Sequence, residues 1–316
     1  MQTRRLGRSD LHIAPLMFGG NIFGWTVDEL TSHRLLDAFV DAGFNAIDTA
    51  DVYSSWVPGH RGGESEAIIG SWLKRRGGRD KVLIATKVGM EMPDGSKGLC
   101  NAYIKKSVEQ SLKRLQTDYI DLYQSHEDDE TVPQAEVLET YKALIAEGKV
   151  RVIGASNFPA GRLASALDAA EGDLPRYESM QPCYNLFDRW EYEGDLQQLC
   201  VNREIGVISY FSLASGFLTG KYRSTKDLEG RARGEDVEKY LDLRGQRILA
   251  ALDDVAKRSG AKPAQVALAW LLMRPGIVAP IASATSLGQL EQLVGAARLK
   301  LDAESLQQLT SASEQA

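Results

Sequence analysis

The stretch Phe44-Asn45-Ala46-Ile47-Asp48-Thr49-Ala50-Asp51-Val52-Tyr53 decides the fold. Phe44–Asp48 reads as a short buried strand, and such a strand has no structural need for the carboxylates and phenol around its end. Upstream, Leu35, Leu36 and Phe39 form an apolar stripe of helical period, and Gly43 suits the position just past a helix end. Thr26-Val27-Asp28-Glu29 reads as the capping box that starts this helix. Downstream, a second helix is expected around residues 64–75. A strand set between two helices is the unit of an α/β fold.

The unit repeats along the chain. Strands are expected at Pro15–Phe18, Phe44–Asp48, Val82–Thr86, Tyr119–Tyr123, Val150–Ala155, Glu178–Gln181, Gly206–Tyr210 and Ile277–Ile281. Several are continuously apolar, as in a parallel sheet covered on both faces. Ile104, Val108, Leu112 and Leu115 share a helical face. Another helix opens with Pro133 at its first position and closes before Gly148. Further helices are expected around 159–170, 191–203, 245–259 and 286–297, with an extra one near 303–313. Eight βα units without a composition break argue for one (β/α)8 barrel spanning 1–316, a TIM barrel, with a doubly wound sheet as the rival. Residues 2–13 suggest a hairpin turning at Gly7-Arg8-Ser9-Asp10 and plugging the barrel floor. Residues 214–244 form a long, charged, Gly-rich insertion, which in a compact domain is functional or disordered.

Composition narrows the function. The net charge is −6, with a pI near 5.4. Nucleic acid and anionic membranes want a basic face, so neither is an expected partner. The opening MQTRRLGRSDLHIAP lacks the apolar core of a secretory signal, and the longest apolar run, Val266–Met273, is too short to span a bilayer. The expected compartment is the cytosol. Cys100, Cys183 and Cys200 are odd in number and form no CxxC, and His12, His33, His60 and His126 form no HExxH, so no metal is expected.

In a barrel the active site lies at the C-terminal ends of the strands. Those positions carry Asp48 with Tyr53 in the following loop, then Lys87, His126, Ser156 with Asn157, Gln181, and Tyr210 with Ser212. Taken singly, each has an ordinary explanation as a helix cap, rim charge or strand-end hydrogen bonder. Four ionisable side chains on three neighbouring strand ends point to function. A free phenol has a pKa near ~10. A lysine ammonium beside it favours phenolate and lowers that value, while a carboxylate keeps the lysine charged and in place. A histidine can orient a substrate carbonyl. The set suits carbonyl reduction if a hydride donor faces the carbonyl from the other side. Asp51 has no such role and reads as a loop hydrogen bonder. Gly216–Tyr222 departs from a P-loop in length and in having Tyr222 where Ser or Thr is needed, and GxGxxG is absent.

These residues resemble the aldo-keto reductase family. The likeness runs through LGRSDLHIAPLMFGG, NAIDTADVY, LIATKVG, YIDLYQSH, KVRVIGASNF, QPCYNLFDR and SYFSLASGFLTGKY, nearly the whole chain. Within the family it is similar to the branch holding bacterial reductases and potassium-channel β subunits. The resemblance implies a TIM barrel that binds NADP(H), NAD(H) not being excluded, and reduces a small-molecule carbonyl. Carried across, Tyr53 is the proton donor, Lys87 and Asp48 tune it, and His126 orients the carbonyl. Ser156, Asn157 and Gln181 would hold the nicotinamide carboxamide, and Tyr210 would stack on the ring. Gly20, Asn21 and Asp48 would border the same site. Ser212, Leu213, Gly216 and Lys221 would line the pyrophosphate channel under the 214–244 loop. Ser283, Thr285, Gln289 and Gln292 fall at the adenosine 2′-phosphate and adenine site.

That last segment departs from the family. Many members carry Arg where Thr285 stands and Glu-Asn where Gln292-Leu293 stands. The hydroxyls of Ser283 and Thr285 can still bond a phosphate, and Arg231 or Arg233 can supply charge. The loop after Tyr53, SSWVPGHRGGESE, is longer and more polar than usual, and its Trp56 either walls the substrate pocket or is a plain surface aromatic. Two rival functions stay open: a Schiff-base aldolase using Lys87, which needs a neutral amine, and a cofactor-sensing regulatory subunit with little turnover. The substrate pocket is expected from loops 20–25, 54–62, 88–98 and 214–244. The particular carbonyl and the oligomeric state are not legible.

Overall fold

The computed structural model describes residues 2–314; Met1, Gln315 and Ala316, the ends of the expected 1–316 unit, lie outside the described residues. An antiparallel hairpin, β1 (Arg4–Arg5) with β2 (His12–Ile13), precedes the barrel. The barrel strands are β3 (Met17–Gly19), β4 (Ala46–Asp48), β5 (Leu83–Val88), β6 (Ile120–Ser125), β7 (Val150–Ser156), β8 (Ser179–Gln181), β9 (Gly206–Ser209) and β10 (Ile277–Ala282). They pair in parallel and close in the order β10-β3-β4-β5-β6-β7-β8-β9. Closure removes the doubly wound alternative. Helices α1 (Glu29–Asp41), α2 (Glu64–Arg76), α3 (Asn101–Leu115), α4 (Gln134–Ala146), α5 (Ala160–Ala169) and α6 (Asp195–Asn202) follow the successive strands β3 to β8. The chain then runs through α7 (Gly234–Glu238), α8 (Leu243–Ser259), α9 (Pro263–Leu272), α10 (Leu287–Ala296) and the extra α11 (Ala303–Ala312).

The period of two along each strand divides the core. Phe18, Ile47, Ile84, Ile153 and Val207 face the helices. Met17, Ala46, Ala85, Leu122, Val152 and Ile208 face inward and pack with Leu6, Leu11 and Ile13 of the hairpin, so the expected floor plug is present. Continuing the inward set two residues at a time places Asp48, Lys87, Gln124, Ser156 and Gln181 at the mouth. β5 runs on to Val88, past the expected end at Thr86, because Thr86, Lys87 and Val88 all pair with β6.

Three local expectations change. Residues 22–27 fold into a turn, with the amides of Trp25, Thr26 and Val27 all donating to the Ile22 carbonyl, so Thr26 is not at the helix start. Asp28 caps α1 instead, accepting from the Thr31 amide at 2.8 Å. Pro133 sits one residue before α4, at the N-cap. Helix α9 was not foreseen. Its residues Val266–Leu271 are buried on every side, so no polar face betrays the helical period. The 214–244 insertion is ordered, and its own Phe217, Leu218, Tyr222, Val237 and Tyr240 are buried. Among the described residues no helix is long and apolar enough to cross a membrane.

Candidate active site

Lys87 lies at the centre of the mouth and is wholly buried. Its Nζ donates to Asp48 Oδ2 at 2.8 Å, to the Thr49 carbonyl at 2.8 Å and to Tyr53 Oη at 3.2 Å. Three acceptors satisfy the three ammonium donors. Burial alone would lower the Lys87 pKa, but Asp48 and Tyr53 hold the charge and the net shift is upward. The amine is therefore an ammonium at neutral pH, which counts against a Schiff-base nucleophile.

Tyr53 reaches Lys87 because the chain turns sharply after β4. The Gly63 and Ser65 amides both donate to the Tyr53 carbonyl, at 2.9 and 3.4 Å, which ties the loop to the start of α2. The expected lowering of the phenol pKa is not the net result. Burial raises it, and the downward pull of Lys87 is the smaller effect. Tyr53 is thus firmly protonated and can act as an acid. His126 stands edge-on to Tyr53, with ring centroids 5.9 Å apart. Burial and the Lys87 charge push its pKa well below the ordinary value, so the imidazole is neutral. Its Nδ1 is buried without a hydrogen-bond partner among the described residues.

The expected cofactor residues fall in two groups. At the mouth, Gln181 Nε2 donates to Asp48 Oδ1 at 2.9 Å, so Gln181 also braces the carboxylate. Ser156 Oγ donates to the Gln181 carbonyl at 2.8 Å. Asn157, in the left-handed region at φ 56°, donates to the His126 carbonyl at 2.9 Å. Tyr210 Oη donates to Asn157 Oδ1 at 2.9 Å, which fixes the Tyr210 ring beside the amides. Gly20 passes so close to β4 that a Cβ there would lie 2.9 Å from the Asp48 carbonyl oxygen. Ser283 Oγ bonds the Gly19 carbonyl at 2.7 Å and Asn21 Oδ1 at 3.0 Å.

The second group runs outward. Ser212 is buried and donates to the Ser209 carbonyl at 3.0 Å. Beyond it, Leu213 leads into a run of left-handed residues at Ala214, Ser215 and Gly216. Lys221 is exposed beside Gly216, its Nζ 4.7 Å from the Tyr222 ring centroid. Arg231 is exposed on the insertion, and Gln289 and Gln292 are exposed on α10. Thr285 donates its amide to Gln289 Oε1 at 2.9 Å, and Ser286 caps α10. The donor set fits a dinucleotide: amides and a phenol ring at the inner end, a lysine in the middle, and hydroxyls at a helix N-terminus at the outer end. The buried amide Nε2 of Gln124, without a clear partner of its own within the described residues, adds a spare donor beside Lys87.

A profile described as the aldo/keto reductase family matches residues 15–314. The chain belongs to the aldo/keto reductase family. This aldo/keto reductase is 34% identical to an uncharacterized oxidoreductase, YrpG, of Bacillus subtilis, over 98% of this chain and 95% of the relative. It is 38% identical to the aldo-keto reductase YhdN of the same organism, over 87% and 81%. It is 31% identical to a probable voltage-gated potassium channel subunit beta of Arabidopsis thaliana, over 92% and 90%. The family and these relatives make the chain an oxidoreductase acting on carbonyls.

Two features of the site went unassigned in the sequence: the Thr49 carbonyl as third acceptor of Lys87, and the Gln124 amide. The first is backbone and leaves no sequence signal. Gln124 could have been found from inward parity two residues before His126. Trp56, left open between wall and surface, packs edge-on against Tyr53 at 5.7 Å and against Trp25 at 5.7 Å.

Proposed function

We propose that this aldo/keto reductase reduces aldehydes or ketones to alcohols with a nicotinamide cofactor, NADP(H) in preference to NAD(H). The observation that carries the reading is the buried Lys87 ammonium held at once by Asp48 and by the Tyr53 phenol. The cofactor, when bound, supplies a hydride to the carbonyl carbon. Tyr53 gives its proton to the carbonyl oxygen, so that hydride and proton together complete the alcohol. Lys87 stabilises the phenolate left behind, and Asp48, braced by Gln181, keeps Lys87 charged and aimed. Neutral His126 donates a hydrogen bond to the carbonyl oxygen and orients it for both transfers.

Ser156, Asn157, Gln181 and Tyr210, with Gly20 and Asn21 beside them, would hold the nicotinamide end. Ser212, Leu213, Gly216 and Lys221 would hold the pyrophosphate. Ser283, Thr285, Gln289 and Gln292 would hold the adenosine end. The preference for a 2′-phosphate rests on Arg231 and on the α10 N-terminus, since Thr285 brings no charge of its own.

The test is oxidation of NADPH and of NADH across a panel of aldehydes and ketones, with Tyr53→Phe as control. Wild type should consume NADPH with several carbonyls and Tyr53→Phe should not; full activity in Tyr53→Phe would sink the mechanism. The kinship with a channel subunit gives the second reading some weight: tight NADPH binding without turnover on any carbonyl would favour a cofactor sensor.

A further inference from the structure

Gln124 has no step of its own in the mechanism above, yet it stands in the row of residues that carries Lys87. The strand register sets Lys87 of β5 beside Gln124 of β6, Gln124 beside Gly154 of β7, and Gly154 beside Ser179 of β8. Lys87, Gln124 and Ser179 are wholly buried. Gly154 leaves the row bare at its third place: a Cβ there would lie 3.1 Å from Gln124 Cγ and would collide with Ser179 Oγ. In that space the Gln124 side chain leans across β7 and reaches Gln181, two residues beyond Ser179 on β8. Gln181 Nε2 donates to Gln124 Oε1 at 3.3 Å as well as to Asp48 Oδ1 at 2.9 Å.

The polarity of these bonds is fixed from the carboxylate outward. An ionised carboxylate only accepts, so Asp48 turns the nitrogen of the Gln181 amide towards itself. The second hydrogen of that nitrogen needs an acceptor, which turns the oxygen of the Gln124 amide towards Gln181. Reversing the Gln124 amide would set its N–H groups against those of Gln181. Both hydrogen bonds of the Gln181 amide are thus made by Nε2, which leaves Oε1 as the acceptor it can offer to another molecule. Gln124 Nε2 is itself buried with no partner among the described residues. A glutamine that only braced the barrel would use its donor as well. This one forgoes it and keeps the acceptor bond to Gln181.

We propose that Gln124 is a positioning residue: acting through Gln181, it holds the amide that grips Asp48 and that offers its oxygen to the nicotinamide carboxamide. The inference rests on the reductase reading for its effect on turnover, while cofactor binding tests it separately. With one N–H unfilled, a buried Gln181 amide is free to turn away from Asp48 in search of another acceptor. The brace on Asp48 and the acceptor for the carboxamide then loosen together. The charges that face Gln124 are Lys87 from β5 and, beyond Gln181, Asp48 from β4.

Fluorescence titration with NADPH, without any carbonyl present, gives Kd for each variant. Gln124→Leu should raise Kd roughly three- to tenfold, the scale of one neutral hydrogen bond. In steady-state assays its kcat should fall with little change in KM for the carbonyl. Gln124→Glu keeps an acceptor facing Gln181 and should bind NADPH nearly as wild type does. Ser179→Ala disturbs the same row without a bond to the Gln181 amide and should match wild type. In a Gln181→Met background, itself weak in binding, adding Gln124→Leu should raise Kd no further, since the residue acts through that amide. Wild-type Kd in Gln124→Leu, even with a lowered Tm, overturns the proposal and makes Gln124 a packing residue. Losses that add in the double variant overturn action through Gln181, and Gln124→Glu as weak as Gln124→Leu overturns the acceptor role. If wild type reduces no carbonyl but the Kd pattern holds, the reductase reading falls and the positioning role stands. Brisk turnover in wild type with an unmoved Kd in Gln124→Leu is the reverse.

Discussion

Asp48 at the mouth of the barrel and Asp121 at its floor are both almost fully buried carboxylates held by cations, and the two ends solve the problem differently. Asp121 accepts from Arg79 Nη2 at 2.7 Å, from Arg151 Nη1 at 2.9 Å and from the Ile84 amide at 3.0 Å. Arg151 continues to Asp10 in the floor hairpin at 3.1 Å, and Arg79 stacks on Tyr119 at 4.0 Å. These cations are permanently charged, partly solvated forks that tie strands together. At the mouth a single lysine, wholly buried, is shared among a carboxylate, a backbone carbonyl and a phenol. Beside it lie unsatisfied donors or acceptors on His126 and Gln124. The floor network is closed on itself. The mouth network is left with polar capacity that only another molecule can take up, which is the mark of a site rather than a brace.

The contrast breaks most sharply at Tyr53. Removing the phenolic oxygen with Tyr53→Phe takes away the proton donor hydrogen-bonded to Lys87, and turnover should fall by ~10²–10⁴, the usual worth of a positioned acid. Folding should barely change, since the ring and its contacts with Trp56 and His126 remain. Stopped-flow or steady-state rates beside a thermal melt decide it; a matching loss of stability would mean that the phenol is structural, like the floor.

Lys87→Met and Asp121→Asn compare the two ends directly. Lys87→Met strands Asp48 in the barrel without its cation, which should cost ~3–5 kcal/mol in urea unfolding along with nearly all activity. Asp121→Asn leaves two partly solvated guanidinium groups that keep other partners, so the loss should be smaller, ~1–3 kcal/mol. Activity per folded molecule should stay at the wild-type level. If Asp121→Asn slows turnover as well as weakening the fold, floor and mouth are coupled and the division drawn here is wrong.

The same division explains what the sequence could tell. Apolar strand runs, helix stripes and Gly43 are local signals of backbone choice, so the barrel and its βα order were legible. Position at the strand ends put Asp48, Lys87, His126, Ser156 and Gln181 on one rim, and the structure brings Asp48, Tyr53, Lys87 and Gln181 into one hydrogen-bonded group. Helix α9 was not legible because burial on every side erases amphipathic period. The cap of α1 moved from Thr26 to Asp28 because a turn held on the Ile22 carbonyl, a contact no local motif announces, uses up Thr26. The net shift at Tyr53 was misjudged because nearest neighbours argue for a lowered pKa, whereas the depth of burial, which they do not reveal, is the larger effect.

Asp51 offers the most discriminating effect, because it is neutralised in a third way. It is 2% exposed, and its Oδ1 has no hydrogen-bond partner among the described residues, so the expected loop hydrogen bonder is in fact partly orphaned. Glu66, buried nearby, has both oxygens occupied by Thr86 Oγ1 and Arg114 Nε at 2.6 Å each. Burial first, and then the Glu66 charge, push the Asp51 pKa up to about 8, against the weaker pull of Arg114 and Lys87. Asp51 is thus held by a proton where Asp48 and Asp121 are held by cations. The folded chain binds that proton more tightly than the unfolded chain, whose aspartate titrates near ~3.9. Stability should therefore be fully retained below about pH 4 and decline as pH rises towards the folded value. Asn at this position cannot ionise. Melting curves of Asp51→Asn and wild type should run together below about pH 4 and separate steadily up to about pH 8, with the variant higher by about 2–4 °C for each kcal/mol gained. Curves that stay parallel over this range would mean that Asp51 carries its charge in the fold after all, balanced by Arg114 in the manner of the floor.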